Sequence, residues 1–220
     1  MIGKFIIFGD SYSTHRDVIP EDFYSFYHTG GRSPSEPYTD MRPEETWWGR
    51  LIEKTDATLV HNNSWSGSTV GYTGYDGDCS HTNSFIYRYR CLRESGFFDK
   101  NEVDTVFVFG GTNDSWSDAP LGEVMESDFE ESDLYSVLPA ISYFMITLAQ
   151  DLPGKRLVFI SNCDLKPEIR ECMTRTAKIT GATVVPLYDI EKVERHPNKN
   201  GMRQIAEQII EVLRENEQRK

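Results

Sequence analysis

The 220-residue chain is poor in the features that mark several large protein classes. Cysteine occurs only at Cys79, Cys91, Cys163 and Cys172. These form no Cys-x-x-Cys pair and no cysteine–histidine spacing suited to zinc. The expectation is four free thiols, no metal site and no cofactor. No stretch approaches the roughly 18 apolar residues of a membrane span. The opening apolar run is cut off at Asp10, too short for the apolar part of a secretory signal. A cytoplasmic protein is therefore expected. Positive charge is also scarce: 23 Lys and Arg face 35 Asp and Glu, a formal net charge of -12. Such a surface repels a nucleic-acid backbone or an anionic bilayer at long range, so neither is an expected partner. The charge does not bear on a neutral small molecule, and the oligomeric state is not legible. The nucleotide-binding glycine patterns and the Gly-x-Ser-x-Gly elbow of α/β-hydrolases are missing too. There is no internal repeat, low-complexity segment or linker, and the length suits one domain over residues 1–220.

What is present alternates. Phe5 to Phe8 reads as a strand buried on both faces. Further strands are expected over 57–60, 103–109, 156–160 and 183–185. Helical spacing covers 46–54, 132–150 (with Pro139 allowing a break or late start), 165–180 closed by Gly181, and 198–215. Strands alternating with helices predict a three-layer α/β/α sandwich around a five-stranded parallel sheet of flavodoxin-like topology. Residues 12–45 are too long for a simple connection and carry Tyr24, Phe26, Tyr27 and Tyr38. Such an insertion is usually functional, and its aromatics argue against simple disorder. A second aromatic segment, 71–89, follows the second strand.

Four polar clusters sit at the expected strand exits: Gly9-Asp10-Ser11, Asn63-Ser64-Trp65-Ser66-Gly67-Ser68, Gly110-Gly111-Thr112-Asn113-Asp114 and His196-Pro197-Asn198. Each alone has a plain structural reading as a turn or a helix cap. Their shared order is what points to chemistry, because chemistry in parallel sheets collects beyond the carboxyl ends of the strands.

In this order the blocks resemble those of the SGNH subgroup of the GDSL hydrolases, with Ser11, Gly67, Asn113 and His196 in the family's four named positions. The resemblance runs from Phe5 to about Leu213. It implies an esterase with Ser11 as nucleophile and His196 as base. It also implies an oxyanion hole from the Ser11 and Gly67 amides and the Asn113 side chain, with Asp10 structural. A serine hydroxyl needs such a base, and a developing oxyanion needs fixed donors. The family usually has an aspartate three residues before the histidine, where this chain has Val193. Glu194, a backbone carbonyl or a group elsewhere, such as Asp189, could orient the ring instead. A Ser–His dyad is slightly favoured over Glu194.

The expected substrate is a small carboxylic ester. Trp65, Tyr72, Tyr75 and Trp116 favour an acylated sugar, because aromatic rings offer flat apolar area to sugar faces; the alternative is that they only pack the loops. A transacylase using the same serine and a non-catalytic binding module of the same fold are the rival readings.

Overall fold

The computed structural model describes residues 2–218. Five parallel strands form the central sheet: β1 (Lys4–Gly9), β2 (Thr58–Ser64), β3 (Thr105–Phe109), β4 (Arg156–Ser161) and β5 (Thr183–Pro186), in the order β2-β1-β3-β4-β5. This is the flavodoxin-like order. The period-two alternation of the inner strands divides them between two cores. Phe8, Val108 and Phe159 face one cluster, together with helices α2 (Phe85–Glu94), α5 (Val137–Asp151) and α6 (Pro167–Thr180). Phe107, Phe109 and Ile160 face the other, with α1 (Trp47–Thr55) and α7 (Lys199–Gln218). The three-layer α/β/α sandwich follows from this division. No helix among the described residues is long and apolar enough to cross a membrane.

The structure departs from the sequence reading in three places. The second strand runs on through His61, Asn62, Asn63 and Ser64, so half of the second polar cluster lies inside it. That half carries no apolar pattern, and its side chains are satisfied by specific partners: the Asn62 amide donates to the Ser13 carbonyl at 2.9 Å, and Asn63 accepts from Arg88 at 2.7 Å. Helix α2 lies partly within the segment read only as aromatic. Its strand-favouring Phe, Ile and Tyr residues hide a helix that Ser84 caps by accepting from the Tyr87 amide. The long helix starts late, at Val137, after a short turn over Glu131–Tyr135, and carries Pro139 where no intrahelical donor is yet needed.

Two shorter helices complete the chain, α3 (Phe97–Lys100) and α4 (Thr112–Trp116). There is also a hairpin pairing Lys192–Val193 with His196–Pro197. The insertion contains no sheet strand. It is nonetheless packed, with Phe26, Tyr27 and Met41 buried in the same core as α1 and α7.

Candidate active site

Strand β1 delivers Ser11. Gly9 ends the strand where a Cβ would come within 2.5 Å of both Ser13 and Ser64, so only glycine lets the chain turn there. The next residues form a single 3₁₀ turn, Ser11–Ser13, capped by Asp10, whose carboxylate accepts from the Tyr12 amide at 3.0 Å. The turn is fixed from outside as well. Trp47 donates its indole N–H to Ser13 Oγ at 3.1 Å, and Trp48 donates to the Ser13 carbonyl at 3.0 Å. Beneath it Asp10, Arg88 and Asp114 are fully buried. Burial pushes the Asp10 carboxyl up to about 7 and Asp114 up to about 6, and pulls the Arg88 guanidinium down to about 9.

His196 reaches the same place from the far end of the chain. Its Nε2 lies 3.0 Å from Ser11 Oγ, and its Nδ1 lies 2.9 Å from the Glu194 carbonyl oxygen. A carbonyl can only accept, so Nδ1 carries the proton and the Nε2 lone pair of the neutral ring faces the serine. The hairpin makes this possible. Glu194 and Arg195 form its two-residue turn with φ of 47° and 65°, both left-handed, as a type I′ turn requires. That backbone aims one carbonyl at the histidine and the next, that of Arg195, at the Tyr12 hydroxyl.

Aromatic residues hold the ring. Phe26 stacks on His196 with centroids 3.5 Å apart and planes at 9°, and Tyr12 meets its edge at 5.3 Å. The Tyr27 hydroxyl donates to the Pro197 carbonyl at 2.7 Å. Burial in this setting lowers the imidazole to about 4, against the opposing pull of the Glu194 carbonyl; Lys192 and Arg32 add to the lowering.

The other candidate residues divide. Gly67 is the third residue of the Trp65–Ser68 turn, with φ of 83° and open space where a side chain would be. Asn113 lies in the first turn of α4 and donates one amide hydrogen to the Ser68 carbonyl at 2.8 Å; among the described residues the other meets no acceptor. Among the described residues, neither the Ser11 nor the Gly67 amide meets an acceptor. Tyr75 is 53% exposed and donates its hydroxyl to Asn113 Oδ1 at 3.1 Å. Trp65 packs on Phe23 at 4.5 Å, and Trp116 lies under the Arg195 guanidinium at 5.5 Å. Tyr72 is not a cleft residue. It is buried in the core with its hydroxyl on Glu131 at 3.0 Å, because its ring fills the space between α2 and the Glu131–Tyr135 turn.

The Glu194 carboxylate does not meet the ring in this structure. Among the described residues no carboxylate meets the His196 ring, and Glu194 serves through its main chain. Asp189 is likewise no partner of the ring. The sequence reading did not single out Tyr12 and Trp48 as site-builders, although the aromatic richness of residues 12–45 flagged Phe26 and Tyr27. Among the described residues, no cluster of histidine, cysteine and carboxylate side chains is set to hold a metal.

The family model for GDSL-like lipase/acylhydrolase matches residues 3–213. A crystal structure named as a GDSL-like lipase from Bacteroides uniformis ATCC 8492 is 36% identical, with a TM-score of 0.86, covering 96% of this chain and 95% of that one. Its counterpart from Bacteroides ovatus ATCC 8483 is 31% identical, also with a TM-score of 0.86, covering 98% and 99%. An acetyl xylan esterase from Butyrivibrio proteoclasticus shares the fold at 18% identity and a TM-score of 0.59, covering 97% of this chain and 64% of that one. No curated protein matches in sequence. The chain therefore belongs to the GDSL-like lipase/acylhydrolase family, and with it to the carboxylic ester hydrolases.

Proposed function

We propose that the protein hydrolyses an acylated carbohydrate through an acyl intermediate on Ser11. The supporting observation is the 3.0 Å contact between Ser11 Oγ and the unprotonated Nε2 of a histidine whose other nitrogen is tied to a carbonyl. In this reading His196 takes the hydroxyl proton as Oγ attacks the ester carbonyl. The charge developing on the carbonyl oxygen falls among three donors: the Ser11 and Gly67 amides and the free amide hydrogen of Asn113. Collapse expels the alcohol, which takes the proton back from Nε2. Water then repeats the sequence on the acyl-serine and restores the enzyme. Because the neutral ring is the stable form well below pH 7, the base is ready without prior deprotonation.

The carbohydrate part of the proposal rests on Tyr75 and Trp116, which stand around Asn113 and offer flat apolar area to a sugar ring. The acetyl xylan esterase is similar in fold and lends the fold alone. Two measurements test the proposal. A fluorophosphonate should add one mass to the protein and none to Ser11→Ala; a folded protein that resists labelling would remove the serine mechanism. A panel of acetylated sugars beside short and long acyl esters should favour the sugars. Activity confined to long acyl chains would remove the carbohydrate, and acyl transfer to an added alcohol outrunning hydrolysis would make the protein a transacylase.

A further inference from the structure

We propose that Arg195 is a specificity residue of this site and binds a carboxylate carried by the alcohol half of the ester. The proposal deepens, and rests on, the reading of Ser11 and His196 given above. Several arginines elsewhere on this acidic surface hold carboxylates: Arg90 meets Glu131 at 2.7 Å, Arg156 meets Glu217 at 3.0 Å and Arg175 meets Glu126 at 2.6 Å, whereas Arg16 and Arg170 donate to main-chain carbonyls. Arg195 is exposed, and among the described residues its guanidinium has neither an ion pair nor a hydrogen-bond partner. Its contact is with a ring, 5.5 Å from its Cζ to the centre of Trp116. Stacking of this kind orients a guanidinium while leaving its N–H edges free for a planar anion.

Its position ties it to the reaction. Arg195 is the residue before His196, on the turn that carries the base. Trp116 ends the five-residue helix that begins beside Asn113, and Tyr75, bonded to Asn113, is close enough to feel the Arg195 charge. In the proposal the alcohol half of the ester lies beside the turn that carries Arg195, because the leaving alkoxide must depart toward Nε2 of the adjacent His196. The backbone there is left-handed, at φ of 65°, where glycine or asparagine would sit without strain. Arg32 and Lys192 also lie close to the same histidine, but Glu36 and Asp164 pair with them, so Arg195 is the cation left for a substrate anion. The net charge of -12 repels anions at long range, but beyond about 8 Å that field is screened at physiological ionic strength. Close binding is decided locally, at the unpaired guanidinium of Arg195.

The test uses matched pairs of mono-O-acetylated methyl glucuronosides and methyl glucosides. The wild type should prefer the uronate in kcat/KM by about ten- to hundredfold, in line with a charge-assisted hydrogen bond. Arg195→Gln should bring that ratio to near one, and Arg195→Lys should keep part of it. A ratio near one in the wild type, or one unchanged in Arg195→Gln, overturns the proposal. Binding of the unacetylated methyl glucuronoside and methyl glucoside to Ser11→Ala, read by calorimetry, gives the same answer without turnover. Tighter binding of the uronate that weakens with salt supports it, and equal binding of the two sugars overturns it. Loss of p-nitrophenyl acetate hydrolysis in the wild type would instead strike the acyl-serine reading and leave this binding result standing.

Discussion

The two halves of the site are built by opposite means. Ser11 stands at the end of a buried strand, over a polar layer of Asp10, Arg88 and Asp114 and under two indole donors. His196 stands just after a two-residue surface turn, gripped by Phe26, Tyr12 and Tyr27 and tied by one carbonyl. Sheet ladders fix a strand end to within the precision of its hydrogen bonds. A short hairpin has no such ladder, so packing must supply the order. The aromatic insertion therefore serves as the scaffold for His196, where the sheet serves as the scaffold for Ser11.

The sharpest test of the serine half is Ser11→Ala. It should leave the melting temperature nearly unchanged and remove turnover, by as much as about 10⁶-fold in kcat if it behaves as nucleophile knockouts do in other serine hydrolases. Initial-rate assays on p-nitrophenyl acetate read the loss. A residual rate within tenfold of wild type would move the nucleophile elsewhere. Asn113→Ala comes next. It removes the one side-chain donor of the proposed oxyanion hole, and loss of such a donor costs about 2.7–4 kcal/mol, or 10²–10³ in kcat. KM should change little. The variant also strands the Tyr75 hydroxyl and the Ser68 carbonyl, so circular dichroism should accompany the kinetics.

The histidine half should fail differently, losing order and activity together. Phe26→Ala removes a ring in 3.5 Å contact with His196 and nearly buried. It should cost about 3 kcal/mol of stability, read by chemical denaturation, and about ten- to hundredfold in kcat as the base drifts from Ser11. Unchanged kcat with lowered stability would mean that Tyr12 and the turn suffice.

The sequence made these halves legible to different degrees. Ser11, Gly67, Asn113 and His196 stand in blocks whose spacing is local, and Gly9 and Gly110 mark where the first and third blocks leave the sheet. The alternation of apolar runs gave the layer order for the same reason: period two and period 3.6 are properties of neighbouring residues. The contacts that hold His196 are not local. The Phe26 stack and the Tyr12 and Tyr27 hydrogen bonds span 170 residues or more of chain. No spacing rule encodes them, and the aromatic excess of residues 12–45 was their only trace. Helix α2 was hidden by strand-favouring residues that tertiary packing overrides.

A smaller effect separates the halves by pH. The proposed mechanism requires the neutral ring, so kcat/KM should climb through about pH 4 and level off by pH 6, well below the limb of an ordinary imidazole near 6.5. The linked stability has the opposite reference. Above pH 6.5 the ring is neutral whether folded or unfolded. As pH falls from about 6.5 to about 4 only the unfolded chain takes up this proton, so stability declines across that window and this group adds no further loss below it. Phe26→Ala should raise the acid limb toward 6.5 by letting water reach the ring. A limb that stays near 4 would assign the shift to Lys192 and Arg32 instead.

The smallest expected effect is the most discriminating. In a triad the orienting carboxylate can be worth up to about 10⁴ in rate. Here the atom on Nδ1 is the Glu194 carbonyl oxygen, which every residue type possesses. Glu194→Gln should therefore leave kcat within about a factor of two. Glu194→Gly should do the same or slightly better in stability, because glycine takes the left-handed φ of 47° without steric cost. What the turn must preserve is the direction of that carbonyl, so the side chain is free to vary while the backbone conformation is not. A fall of a hundredfold in Glu194→Gln alone would show that the carboxylate swings onto the ring during turnover, and the dyad would have to be redrawn as a triad.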